Sequence, residues 1–313
     1  MKAYELKEAG SVDQLQMVEI DKPVASANEV VIKSKAISIN PVDIKTRIGK
    51  SLYNEFKENY SPIIIGWDVS GVVESVGESV SQFKPGDEIF GMINFPGHGK
   101  AYAEYVSAPV SQIAKKPANI SHEEAAAATL AALTAYQILR NYVKAGDRIL
   151  IQAGAGGVGH FAVQMAKIIG AHVTATTSAK NIDFVKALGA DNVIDYTKQP
   201  FENAISNLDF VLDALGGDTL RRSIQTVKAG GKIVSLPSGA LLDEIKAQAN
   251  DRQVEAIFQM VVSSGEDMKQ IAGWMETGKL KAEVSQIFTF DQLKEAHTAV
   301  ETGRTRGKIV IKF

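Results

Sequence analysis

The stretch Arg148-Ile149-Leu150-Ile151-Gln152-Ala153-Gly154-Ala155-Gly156-Gly157-Val158-Gly159 decides how the rest of the chain is read. A short apolar run meets G-x-G-x-x-G at once, and the apolar segment His160 to Ile169 follows, which spells strand, glycine turn, helix. Gly154 permits the tight turn, Gly156 lets a pyrophosphate approach the backbone, and Gly159 lets helix and strand pack closely. Gly157 and Val158 complete the turn at the helix start, whose N–H groups face the phosphates. These five residues are the candidate dinucleotide loop; a purely structural glycine turn is the competing reading.

After the loop, strand and helix patterns alternate. His172 to Thr177 precedes Ile182 to Leu188, Asn192 to Tyr196 precedes Phe201 to Asn207, and Asp209 to Leu212 precedes Thr219 to Val227, with Gly231 to Leu236 last. Repeated βα units of this kind predict a doubly wound parallel sheet. A carboxylate is expected about 20 residues beyond the loop, where it would hold a ribose 2′-hydroxyl. The chain instead reads Thr174-Ala175-Thr176-Thr177-Ser178-Ala179-Lys180, with no acid before Asp183. The hydroxyls of Thr177 and Ser178 and the ammonium of Lys180 would accept a 2′-phosphate, so the expected cofactor is NADP(H). Ser178 also reads as a helix cap, and Tyr196 either flanks the adenosine or packs.

Upstream of the loop the pattern is different. Glu29 to Ile39, Gly71 to Gly77 and Asp87 to Gly91 are strand-like runs, with a stop at Asn40-Pro41 and a turn at Lys84-Pro85-Gly86-Asp87. They predict a mostly antiparallel β unit. Ser121-His122-Glu123-Glu124 is a capping box opening a helix through Leu139. The last segment returns to the first style, with helices over Glu266–Glu276 and Asp291–Glu301, a strand near Ile287-Phe288 and a final strand Lys308 to Ile311. The expected domains are 1–121 plus 263–313, and an inserted 122–262.

Composition narrows the function. Of 313 residues 34 are basic and 36 acidic, without a basic run, so neither nucleic acid nor an anionic membrane is an expected partner. The absence of cysteine removes disulfides, thiolate nucleophiles and thiolate zinc sites. Met1-Lys2-Ala3-Tyr4-Glu5-Leu6 has no apolar leader region and no run approaches the roughly 18 apolar residues of a membrane span, so the expected location is cytoplasmic.

The whole chain resembles the medium-chain dehydrogenase/reductase superfamily, in its zinc-free quinone and enone oxidoreductase branch. The resemblance rests on Asn40-Pro41-Val42-Asp43-Ile44-Lys45, Gly66-Trp67-Asp68-Val69-Ser70-Gly71, Lys84-Pro85-Gly86-Asp87, the glycine loop, Leu188-Gly189-Ala190-Asp191 and Gly307-Lys308-Ile309-Val310. It implies a GroES-like, mostly β catalytic domain with an inserted Rossmann domain. Zinc-using members carry a cysteine near Asn40 and a Gly-His-Glu segment; here the segments read Ile39-Asn40-Pro41 and Gly66-Trp67-Asp68, and the five histidines lack metal-ligand spacing, so no metal is expected.

Without a Lewis acid, alcohol oxidation is harder than reduction of a conjugated acceptor, whose β carbon is already electrophilic. The expected reaction is hydride transfer from NADPH to a quinone or α,β-unsaturated carbonyl. The family's Asn-Pro-x-Asp segment and following loop nominate Asn40, Asp43, Lys45 and Tyr53 beside the nicotinamide, with Lys45 or Tyr53 donating to the developing enolate oxygen. Alternatives are enoyl-thioester reduction and a non-catalytic, crystallin-like NADPH-binding protein that binds RNA. The apolar run Val254 to Phe258 is an expected edge strand, through which relatives pair into homodimers.

Overall fold

In the computed structural model, which describes residues 1–237 and 239–313, the chain divides into two units, Met1–Leu133 with Val261–Phe313, and Thr134–Met260. The first unit opens with an antiparallel pair, β1 (Lys2–Leu6) and β2 (Leu15–Glu19). The long β3 (Glu29–Ser38) follows; its Val30-Val31-Ile32 run is fully buried. Pro41 cannot extend a ladder but suits the first turn of a helix, so the chain turns into α1 (Pro41–Arg47) and then α2 (Tyr53–Asn59). Next come β4 (Asp68–Val76), β5 (Glu88–Met92), β6 (Tyr105–Pro109), β7 (Ile113–Lys115) and α3 (His122–Ala127). Strand β3 pairs antiparallel with β4 and β6, in a register that matches Ala36 with Ser70 and so brings Ser38 and Asp68 to one end.

The predicted capping box is present, Ser121 Oγ accepting from Glu124 N at 3.1 Å and Glu124 Oε2 accepting from Ser121 N at 2.8 Å. The helix does not run to Leu139, however. It ends at Ala127, and α4 (Leu130–Tyr142) starts anew, because the N–H of Leu130 donates to Asp68 Oδ1 at 3.0 Å. Helix α3 packs on β3 and β4 and so lies with the first unit, whose two stretches end at Leu133 and resume at Val261.

The second unit follows the predicted alternation: β8 (Arg148–Ile151), α5 (Gly159–Ile169), β9 (His172–Thr177), α6 (Ile182–Ala187), β10 (Asn192–Asp195), β11 (Leu208–Asp213), α7 (Gly217–Thr226), β12 (Val227–Ser235), α8 (Asp243–Asp251) and β13 (Glu255–Phe258). All pairs are parallel, in the order β10-β9-β8-β11-β12-β13. The order reverses at β8, the switch point where open α/β sheets bind ligands. The predicted helix at Phe201–Asn207 is only a 3-10 turn over Phe201–Asn203, with Phe201 driven into the core formed by Leu150, Val211 and Leu220. Strand β13 lies at the sheet edge, as expected.

The chain then returns to the first unit with α9 (Gly265–Glu276), β14 (Val284–Thr289), α10 (Leu293–Glu301) and β15 (Lys308–Lys312). Strand β15 runs parallel to β14 and antiparallel to β3, matching Val310 with Ser38. No helix among the described residues is long and apolar enough to cross a membrane.

Candidate active site

At the end of β8 the glycine loop is packed so closely that Gly154 and Gly159 have no room for side chains. A Cβ on Gly159 would stand 2.1 Å from Ala153 O, and one on Gly154 would stand 2.8 Å from Ala175 Cβ. A Cβ on Gly156 would lie 3.1 Å from Ala153 O, on a half-buried stretch with Gly157 and Val158. The N–H groups of Gly157 and Val158 stand just before α5 and find no backbone acceptor among the described residues, which leaves donors for a pyrophosphate. This cradle fits a dinucleotide.

Sequence reasoning missed the polar supports beneath the loop. Ala153 has a left-handed φ of 54°, costly for a residue with a Cβ, and its N–H donates to Thr176 Oγ1 at 3.1 Å. Thr176 Oγ1 in turn donates to Gln152 Oε1 at 2.6 Å, and Gln152 Nε2 to Ser223 Oγ at 3.0 Å. Asp213, fully buried at the end of β11, accepts from the N–H groups of Leu215 and Gly216 and from Ser235 Oγ, and burial pushes its carboxyl above the usual range. Its partners pin the turn that leads into α7. Polar residues closing apolar strands were the available signal.

The end of β9 brings the other nominated residues together. Thr177 is buried, and its carbonyl accepts from Tyr196 N at 3.2 Å, which sets the β10 end beside it. Ser178 precedes the 3-10 turn Ala179–Asn181 but forms no side-chain cap bond, so its hydroxyl does not cap as predicted. Lys180 and Tyr196 are exposed, Tyr196 to 58%, which is unusual for an aromatic ring and leaves its face open. Asp195 sits in register with Thr177, its carboxylate accepting from Thr197 N and Oγ1.

In the other unit, Asn40 and Asp43 lie inside a buried polar cluster. Asn40 N donates to Asp43 Oδ2 at 2.5 Å, forming the first turn of α1, and Asn40 Nδ2 donates to Asp68 Oδ2 at 2.7 Å. Ser38 Oγ donates to the same Asp68 oxygen at 2.5 Å. Lys308 Nζ, at the start of β15, donates to Ile39 O at 2.9 Å and to Asn40 Oδ1, and stands 3.8 Å from Asp68 Oδ2. Burial, helped by the charge of Asp68, pushes Asp43 up to about 8. Burial draws the Lys308 ammonium down, opposed by Asp68 and Asp43. Tyr102, whose hydroxyl bonds to His297 Nε2 at 2.9 Å, bears on Asp43 as well, and its own proton is held more tightly by burial and that carboxyl.

Lys45 and Tyr53 are placed differently. Lys45 is half-buried on α1, and its ammonium has no partner among the described residues. Tyr53 is buried on α2, and its hydroxyl accepts from Ala9 N at 3.0 Å while keeping its own proton to donate. Asp43 does not pair with Arg47, which is bound instead to Glu301 and to Gly10 O. Nearby, Trp67 donates to Gly97 O at 2.7 Å, and Tyr60 lies over His98 with ring centroids 4.1 Å apart.

The alcohol dehydrogenase GroES-like domain family matches residues 26–118, and the family described as zinc-binding dehydrogenase matches residues 188–311. The residues present do not fit zinc. Asp68 is already bonded to Ser38, Asn40 and Leu130 with the Lys308 ammonium beside it, and among the described residues no group of three or more His, Cys, Asp or Glu could hold a metal ion. The 2-methylene-furan-3-one reductase of Solanum lycopersicum is 38% identical over 99% of this chain and 79% of its own length. The NADPH-dependent alkenal/one oxidoreductase, chloroplastic, of Arabidopsis thaliana is 36% identical over 99% of this chain and 79% of its own length. The solved quinone oxidoreductase from Coxiella burnetii superposes with a TM-score of 0.94 at 38% identity, covering 100% of this chain and 99% of that one. The chain therefore belongs to the medium-chain dehydrogenase/reductase superfamily, in its quinone and enone oxidoreductase branch.

Proposed function

We propose that the protein is an NADPH-dependent, metal-independent oxidoreductase that reduces quinones or α,β-unsaturated carbonyls. The observation that carries the cofactor choice is the end of β9, where Lys180 is exposed, the half-buried Ser178 hydroxyl makes no cap bond, and no acid stands between the loop and Asp183. A carboxylate at that place would repel a 2′-phosphate, whereas a hydroxyl and an ammonium bind it. The names of the relatives support the acceptor class.

Bound NADPH supplies the hydride. Gly154, Gly156 and Gly159 let the backbone approach the pyrophosphate, and the N–H groups of Gly157 and Val158 bind it. Thr177 and Tyr196 border the adenosine. The unpartnered Lys45 ammonium donates a hydrogen bond to the acceptor's carbonyl oxygen, and Tyr53 holds its hydroxyl proton ready for the same oxygen. Asn40 and Asp43, buried and bonded to each other, form the first turn of the helix whose last turn carries Lys45. We further propose a homodimer formed through the β13 edge, where Phe258 and Met260 are exposed, and a cytoplasmic location, consistent with a chain free of cysteine.

The test is NADPH oxidation against 9,10-phenanthrenequinone, alkenals, enones and an enoyl-thioester, with NADH in parallel. Turnover of quinones or enones with NADPH supports the proposal. Turnover of the thioester alone moves the reading to an enoyl-thioester reductase, and no turnover with tight NADPH binding moves it to a non-catalytic binder. Lys45→Ala and Tyr53→Phe should lower kcat/KM in folded protein; unchanged kinetics would remove both from the site. Light scattering settles the dimer.

A further inference from the structure

A buried ion pair contributes little net stability, because desolvating both charges offsets their attraction. Lys308 and Asp68 are nevertheless 3% and 0% exposed, next to the buried Ile309-Val310-Ile311 and Val69 of their own strands. Their partners differ in one respect. Asp68 keeps donors without Lys308, since Ser38 Oγ and the Leu130 N–H both reach it. Asn40 does not: its Oδ1 accepts from Lys308 and its Nδ2 donates to Asp68, so its amide is gripped at both ends and cannot flip. Asn40 is the joint between β3 and α1, and its N–H is fixed by Asp43.

We infer that Lys308 is a positioning residue, whose ammonium locks Asn40 and thereby the start of α1, the short helix that carries Lys45 in its last turn. The inference rests on the reading that Lys45 contacts the acceptor. Lys308 itself is enclosed by Ile39 O, Asn40 and Asp68, with Asp43 beyond, and so touches no substrate. A fixed cation there orients neighbouring oxygens without offering an open coordination site.

Removing only Lys308 would strand the Asp68 charge and unfold the protein for an unrelated reason. The test is therefore Lys308→Met in an Asp68→Asn background, compared with Asp68→Asn alone and with wild type. The double variant should fold, bind NADPH within about twofold of wild type, and lose about tenfold or more in kcat, because a small misplacement of a reacting group is costly. Amide hydrogen exchange should accelerate over residues 39–47 and nowhere else. Wild-type exchange and kcat in the folded double variant would overturn the assignment. Failure of the double variant to fold would also overturn it, by showing the pair to be required for the fold itself. If wild type reduces no acceptor, the proposed function fails, and exchange over 39–47 still decides the role of Lys308.

Discussion

Thr176 Oγ1 stands 3.1 Å from the Ala153 nitrogen and holds that residue in its left-handed conformation at the head of the glycine loop. One hydroxyl, 1% exposed, thus links the second strand of the parallel sheet to the loop that leaves the first. Replacing it by valine keeps the shape and removes the link. Thr176→Val also leaves Gln152 Oε1 buried without its donor, so NADPH affinity should fall by about five- to tenfold, corresponding to roughly 1–1.5 kcal/mol. Isothermal titration would show it; an unchanged Kd would mean the loop keeps its shape unaided.

Lys180 tests the cofactor choice. On the proposed function its ammonium serves the 2′-phosphate, so Lys180→Ala should raise KM for NADPH by about tenfold and leave KM for NADH within about twofold. Equal changes with both cofactors would place Lys180 at a part that they share.

Gly159 tests the close approach of α5 to the loop. An alanine Cβ would lie 2.1 Å from Ala153 O and 2.9 Å from Gly154 Cα, both backbone atoms that cannot yield cheaply. Gly159→Ala should cost about 2–3 kcal/mol of stability and abolish measurable NADPH binding. Calorimetry and titration on the same sample would separate the two effects, and retained binding would remove the loop from the cofactor site.

Acid and alkali should destabilise the protein through different residues. Burial, with a smaller contribution from a nearby cation, lowers His98 to about 4 and His297 to about 3 from the ordinary 6.5. The unfolded imidazoles therefore take up protons first, and their contribution to stability is lost as pH falls from about 6.5 towards 3. Asp43, raised to about 8 from 3.8, has the opposite sign, and its contribution is lost as pH rises from about 4 to 8. His98→Gln, which retains an acceptor for the Ile64 N–H, should shallow the acid limb of Tm against pH, and Asp43→Asn the alkaline limb. Limbs unchanged in both variants would refute the assignments.

Much of the parallel sheet was legible because its strands are apolar runs broken by glycine, and the loop because each glycine has a steric reason. Helix α1 was not, since Asn40-Pro41 reads as a stop, although proline at a first helical position starts one. The break between α3 and α4 was hidden because the acceptor of Leu130 N–H is Asp68, 62 residues away. The polar cluster was hidden for the same reason, Lys308 and Asn40 being 268 residues apart. Lys308 at the head of the apolar run Ile309-Val310-Ile311 was a visible signal without a visible partner. The glycine loop needed only neighbours in sequence, and the buried cluster needed the whole fold.

The first unit is assembled from two stretches of chain separated by residues 134–260, whereas the second is continuous. That division imposes a schedule on synthesis. The dinucleotide unit can fold as soon as it leaves the ribosome, while β3 and its neighbours wait with an open edge for β15 to arrive. Because β15 also delivers Lys308, one late segment closes the sheet beside β3 and supplies the hydrogen bonds that hold Ile39 O and the Asn40 side chain.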